Sequence, residues 1–250
     1  MPLPAVAPIS WGVAEQPGWG YRLPPERVAA EASRLSVRLA PPDLTGFAHR
    51  NQIASAERQV LAAKQSGASV VVTTPPDTEL DLRGWAAYLD AVGALSALCR
   101  RHKLELAVEP RFGSAIDREE RLQHLLVGSD VGLCLDAGEF WLCGIDPLEV
   151  LELEPRRVRC VHLKDVDQAL GSAVRERRLS RWEAVFKGLH PPLGEGSAEV
   201  ARLLRGLDAA GFDGARVLEQ DRVLAAEPPE GEGPLLDLRL SLDFLARLAD

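Results

Sequence analysis

Cysteine is scarce in this 250-residue chain: Cys99, Cys134, Cys143 and Cys160 are all there is, and no two form a CxxC pair. That spacing gives no signature of a cysteine-built metal site. Two of the four fall in apolar strand-like runs and one in a helix pattern, so they read as buried small hydrophobes in a reducing compartment. Basic blocks are also lacking, and the formal net charge is −8. A chain without a basic stripe has no electrostatic footprint for a phosphate backbone, so nucleic acid is excluded as a partner. No run approaches the ~20 apolar residues that span a bilayer, so no membrane is expected. The opening Met1-Pro2-Leu3-Pro4-Ala5-Val6 has neither a basic region nor an apolar core. It does not read as a secretory signal, and a cytoplasmic location is the expectation.

What is present is an ordinary globular composition, 46% hydrophobic and 26% charged. A chain of this length can bury one sizeable core, and roughly 250 residues is the usual size of a (β/α) barrel. Residues 1–250 are therefore expected to form a single domain. Strand and helix signals alternate along it. Residues 4–10 and 37–40 read as short strands, the second stopped by Pro41-Pro42, and Ser69 to Thr73 is strand-like on composition. Helices are expected from Pro24 to Leu35, around Ile53 to Ala63, and from about Leu82 to His102. Further helices are expected near 117–127, from Pro147, at Trp182 to Leu189, at Val200 to Leu207 and from Leu235 to Leu248. The stretch 165–181 is polar, with Arg175-Glu176-Arg177-Arg178 as a solvated face. Strand followed by helix throughout predicts a parallel sheet covered by helices. Seven strands are counted where a full barrel has eight, so a TIM-like (β/α) barrel shortened by one unit is predicted, closed with seven strands or left distorted or open.

Four apolar runs end in ligand-type residues. Leu104 to Val108 ends at Glu109, Val131 to Leu135 at Asp136, Val158 to Val161 at His162, and Ala215 to Leu218 at Glu219. Buried parallel strands are near-continuously apolar, and their carboxyl ends open on one face of a barrel. A lone acid at a strand end is ordinarily a cap or an ion-pair partner; four successive ones are hard to obtain by accident. Two glutamates, an aspartate and a histidine suit Mn²⁺, Mg²⁺, Co²⁺ or Zn²⁺, and the absence of thiolate ligands argues against a structural zinc. Such an ion grips a hydroxy-carbonyl substrate, and the paired Glu109 and Glu219 are placed to move its proton. Lys164 either contacts the substrate or pairs with Asp165. Trp11 and Trp19, in a glycine-rich loop, either wall a sugar site or plug the end of the barrel.

These residues carry a resemblance. Leu133 to Gly144, His162-Leu-Lys-Asp-Val166, Pro192-Leu-Gly-Glu-Gly196 and Val217-Leu-Glu-Gln-Asp221 resemble the sugar phosphate isomerase/epimerase family with its xylose-isomerase-like TIM barrel, nearest to inosose dehydratase-like members. Pro8 to Gly12 and Pro17 to Tyr21 resemble their amino-terminal segment. The resemblance implies a divalent metal on Glu109, Asp136, His162 and Glu219, the two glutamates as acid and base, and Lys164 facing the substrate. Glu139 stands where the family has a histidine, and Arg111 falls in a stretch where dehydratase-like members carry His-Pro-His; their opposite charges can pair. Trp11, Arg111, Glu139, Lys164 and Asp165 are thus the expected substrate contacts. The expected activity is metal-dependent isomerisation, epimerisation or dehydration of a small keto-sugar, polyol or inosose. The alternative is a barrel that binds metal or sugar without turnover. An abasic-site endonuclease on the same fold would need a histidine-rich cluster and a basic groove, which the sequence lacks. Both a monomer and a homo-oligomer stay open.

Overall fold

The computed structural model describes residues 4–14, 16–44 and 47–249. Its strands are β1 (Ala5–Val6), β2 (Val70–Thr73), β3 (Glu105–Val108), β4 (Gly132–Asp136), β5 (Val158–Leu163) and β6 (Ala215–Leu218). Its helices are α1 (Pro25–Arg34), α2 (Ile53–Gln65), α3 (Leu82–Arg101), α4 (Glu119–Gly128), α5 (Ala137–Cys143), α6 (Pro147–Leu153), α7 (Gln168–Arg175), α8 (Arg181–Phe186), α9 (Val200–Ala209) and α10 (Pro234–Ala249). The chain forms two compact units, one of Met1–Ala40, His162–Arg205 and Arg216–Asp250, the other of Pro41–Val161 and Gly206–Ala215. Strand β5 contributes its first four residues to the second unit and its last two to the first.

In the second unit the strands lie in the order β2-β3-β4-β5. β2 and β3 are parallel, with Val70 level with Glu105 and Thr73 with Val108, and β3 and β4 are parallel with Val108 level with Leu133. Gly132 is required where β4 begins: a Cβ there would stand 2.7 Å from the Leu106 carbonyl and 2.6 Å from an Arg159 side-chain carbon. The valines of β2 are buried, as β-branched residues on a pleated, covered surface are expected to be. Helix α3 opens at Asp81, whose carboxylate accepts the Gly84 N–H at 2.7 Å and satisfies one of the unpaired donors of the first turn. Its apolar face buries Trp85, Tyr88, Val92, Leu95 and Cys99.

In the first unit β1 lies beside β6, parallel, with Ala5 level with Val217 and Val6 with Leu218. The first strand is shorter than its sequence suggests because Pro8 starts a 3-10 turn over Pro8–Trp11. The expected strand at 37–40 is reduced to one bridge, Leu39 to Val6, while in the other unit Leu44 makes one bridge to Thr73. Pro41 and Pro42 stand between those two residues and supply no N–H donors, so neither bridge extends into a ladder. Six strands are thus formed among the described residues, one fewer than the count of apolar runs. Part of the polar stretch 165–181 is helical after all. Asp167 caps α7 by accepting the Leu170 N–H at 2.8 Å, and Ala173 and Val174 are buried on its inner face.

Trp11 is enclosed in the first unit, where its indole N–H donates to Glu31 Oε2 at 2.9 Å. Arg27 Nε holds the other oxygen of Glu31 at 2.9 Å and reaches on to Glu227 and the carbonyls of Pro228 and Pro229. Trp11 is therefore a buried anchor for α1. Replacing it by Phe leaves a buried carboxylate short of a donor and is expected to cost about 1–3 kcal/mol. Urea unfolding measures this, and a loss below about 0.5 kcal/mol would remove that bond from the account of stability. Trp19 is also buried, donating to the Arg222 carbonyl at 2.7 Å. Of the expected apolar face of α8, Val185 is buried, whereas Trp182 and Phe186 are exposed and stacked on each other with centroids 5.4 Å apart.

Candidate active site

In the second unit Glu109 follows β3 and Asp136 ends β4. The Glu109 N–H donates to the Thr73 carbonyl at 3.0 Å, extending the β2–β3 ladder by one residue. The register sets Glu109 level with Cys134, and strand alternation puts Cys134 and Asp136 on one side. Glu109 and Asp136 are both buried, and an oxygen of each lies within 4.8 Å of the other. Asp136 also caps α5, its Oδ1 accepting the Glu139 N–H at 2.9 Å. The Glu139 side chain turns back to the loop after β3, taking the Phe112 N–H at 3.2 Å and facing Arg111 Nε at 3.8 Å. The opposite charges at 111 and 139 therefore do meet, with Glu139 fully buried and Arg111 partly open to solvent. Burial, reinforced by the adjacent Cys160 thiol and the Glu109 charge, pushes the Cys134 thiol well up.

In the first unit His162 and Lys164 sit at and just beyond the end of β5, and Glu219 just beyond β6. The Glu219 N–H donates to the Leu163 carbonyl at 3.0 Å, which brings the two strand ends side by side. His162 Nδ1 lies 3.4 Å from Glu219 Oε2, and Lys164 Nζ lies 2.5 Å from Glu219 Oε1. Lys164, with no exposed surface, also reaches Asp221 Oδ1 at 3.1 Å. Asp165 is used differently. Its two oxygens accept four backbone N–H groups, from Val166, Gly194, Gly196 and Ala198, at 2.9–3.0 Å. Its carboxylate thus organises the loop at 194–198, where a Cβ on Gly196 would stand 2.3 Å from Asp165 Oδ1.

Asp221, Arg181 and His190 join this cluster without having been singled out from the sequence. Arg181 Nη2 lies 3.2 Å from Asp221 Oδ2, and His190 Nε2 lies 3.8 Å from the same oxygen. Alternation along β6 and beyond carried a signal for Asp221, two residues after Glu219. Arg181 and His190 lie in the long segment after β5, whose pattern carried none. Burial pushes the His190 pKa down to about 4, against the pull of Asp221. Below its ordinary value of 6.5 the unfolded chain takes up a proton that the folded chain refuses, so stability falls as pH drops from about 6.5 to 4. The loss at this one group totals about 3 kcal/mol. Denaturant unfolding at several pH values should show that dependence flattened in His190→Gln; an unchanged slope would assign the acid loss elsewhere.

The residue types in each unit suit a divalent ion: Glu109 and Asp136 offer oxygens in one, and Glu219 an oxygen and His162 an imidazole nitrogen in the other. His162 Nδ1 and Glu219 Oε2 lie 3.4 Å apart, close enough for both to serve one ion. Lys164 occupies the other Glu219 oxygen and leaves Oε2 turned to the histidine.

Residues 28–247 match the profile of a protein family described as Xylose isomerase-like TIM barrel. The chain belongs to that family. The barrel fold expected from the sequence is its fold, with six strands formed where a complete barrel has eight. Relatives in this family include an inosose dehydratase of Geobacillus thermodenitrificans (strain NG80-2), 30% identical over 148 residues, 58% of this chain and 50% of that one. The rhizopine catabolism protein MocC of Rhizobium meliloti is 30% identical over 172 residues, 67% of this chain and 51% of its own. The chain spans about half the length of these two curated relatives. Among solved structures, L-ribulose 3-epimerase superposes with a TM-score of 0.67 at 11% identity, over 99% of this chain and 94% of that one. IOLI protein with a binding zinc atom gives 0.61 at 17% identity, over 88% and 80%. No helix among the described residues is long and apolar enough to cross a membrane.

Proposed function

We propose that this family member is a metal-dependent enzyme acting on a small, uncharged keto-sugar, polyol or inosose, with proton abstraction next to a carbonyl as its first step. The observation that carries the reading is the set of buried ligand-type residues at or just beyond the ends of four strands, Glu109 beside Asp136 in one unit and His162 beside Glu219 in the other. These four would hold the ion, which supplies Lewis-acid stabilisation of negative charge developing on the substrate oxygens. Glu109 and Glu219 would exchange the proton with the substrate carbon. Lys164, gripping Glu219 Oε1, keeps that carboxylate oriented and, as the resemblance implies, would face the substrate. Arg111, steadied by Glu139, would contact substrate from the loop after β3. The dehydratase and epimerase names among the relatives support the reaction class, and the zinc of one structural neighbour supports a divalent ion.

Asp136→Asn removes one ligand charge while leaving an oxygen to cap α5. Elemental analysis should find about one divalent ion per chain in the unaltered protein and less than about a tenth of that in the variant, with turnover on an inosose and ketose panel lost in parallel. Equal metal in both proteins would take Asp136 out of the ligand set. The Arg111–Glu139 pair favours a second reading, a barrel in which that ion pair occupies substrate space and binding persists without turnover. Bound metal with no turnover on the panel selects it.

A further inference from the structure

Arg181 and His190 both converge on Asp221, and the function proposed above uses neither. The His190 ring is oriented by its Nδ1, 2.9 Å from the Asp165 carbonyl oxygen. A carbonyl only accepts, so Nδ1 carries the proton. The ring is fully enclosed and kept neutral by burial, and its Nε2 therefore presents a lone pair. That Nε2 has no hydrogen-bond partner among the described residues, and it faces Asp221 Oδ2, another acceptor, across 3.8 Å. Two buried acceptors held face to face are stable when a donor lies between them. Beside them Gln220 gives its amide N–H to the His190 carbonyl at 2.9 Å, while its enclosed Oε1 also has no partner among the described residues. The cations are already matched: Lys164 by Glu219 and Asp221, Arg181 by Asp221. A phosphate or carboxylate ligand would meet no uncompensated positive charge from either.

We propose that His190 Nε2 and Asp221 Oδ2, with Arg181 alongside, form a hydroxyl-binding subsite next to Lys164, in which an O–H of an uncharged polyol or hydroxy-ketone donates to the two acceptors and its oxygen accepts from Arg181. His190 is then a residue that determines specificity for a hydroxylated substrate carbon. The inference rests on the sugar or cyclitol reading for its ligand class, but it concerns binding and not turnover. An enclosed water has the same donor chemistry, and the test separates the two.

Calorimetry with myo-inositol as the probe should show binding to the unaltered protein, weakened at least tenfold in His190→Leu, which keeps bulk but removes the acceptor. In His190→Gln, which restores an acceptor near the Nε2 position, affinity should return to within about threefold. Among the monodeoxy inositols, one should bind the unaltered and Leu proteins equally, because it lacks the hydroxyl that this subsite reads. Unchanged myo-inositol affinity in His190→Leu would mean that the subsite holds water alone, and would overturn the proposal. So would an equal loss for every deoxy analogue, the mark of a structural role. If the Leu variant fails to fold, nitrogen NMR of the unaltered protein decides. His190 should show the Nδ1–H form, with an Nε2 resonance that moves on adding myo-inositol; a charged ring at neutral pH or an unmoved resonance would be fatal. Polyol binding with His190 dependence but without turnover leaves this subsite standing and defeats the enzymatic reading instead.

Discussion

Glu219→Gln is expected to reduce kcat on a responsive inosose or ketose by about 10³-fold or more, within the usual 10²–10⁴ contribution of a positioned acid or base plus the lost ligand charge. The fold should survive. Gln is isosteric, the Glu219 N–H still donates to Leu163, and Lys164 keeps Asp221 Oδ1 at 3.1 Å as a counter-ion. The stability cost is therefore expected to stay near 1–3 kcal/mol, that of removing one partner from a buried charged contact that retains another. Steady-state kinetics alongside thermal unfolding make the check. Activity within tenfold of the unaltered protein would remove Glu219 from the chemistry; collapse of the fold would instead make it a structural ion-pair residue.

Asp165→Ala carries the largest expected loss of stability. One carboxylate receives four backbone N–H groups, and truncation leaves the buried Val166 and Ala198 donors without an acceptor, while those of the exposed Gly194 and half-buried Gly196 lose theirs beside solvent. A cost of about 3–5 kcal/mol is expected, as for breaking a buried charged network by removing one member. At this chain length each kcal/mol corresponds to roughly 2–4 °C, so the midpoint should fall by about 6–20 °C. Differential scanning calorimetry tests this, and a fall of less than about 3 °C would show that the loop at 194–198 holds itself. The same variant should disturb His190, whose Nδ1 is anchored on the Asp165 carbonyl. A residue that reads as a substrate contact thus belongs to the frame.

Much of the frame was legible from local pattern. The apolar runs that end at Glu109, Asp136, His162 and Glu219 lie on β3, β4, β5 and β6, and the long helices fall within a residue or two of their expected bounds. Apolar runs and 3.6-residue periodicity are properties of a short stretch, so a short stretch reveals them. Two marginal segments were misread for equally local reasons. Residues 37–40 have strand composition but abut two prolines that end the ladder, and residues 168–175 look polar because only one narrow face of α7 is buried.

The amino-acid order by itself determined the family, the alternation of strands and helices, and which ligand-type residues end the strands. Only the tertiary structure decided which charges meet. Lys164 passes over its neighbour Asp165 for Glu219 and Asp221, Trp11 is buried against Glu31, and Arg181 and His190 arrive at Asp221 from a segment with no telling pattern. The reason is that strand alternation sends Lys164 and Asp165 in different directions, while the partner of a buried charge is set by which strand lies alongside, a relation between residues far apart in the chain that no local periodicity encodes.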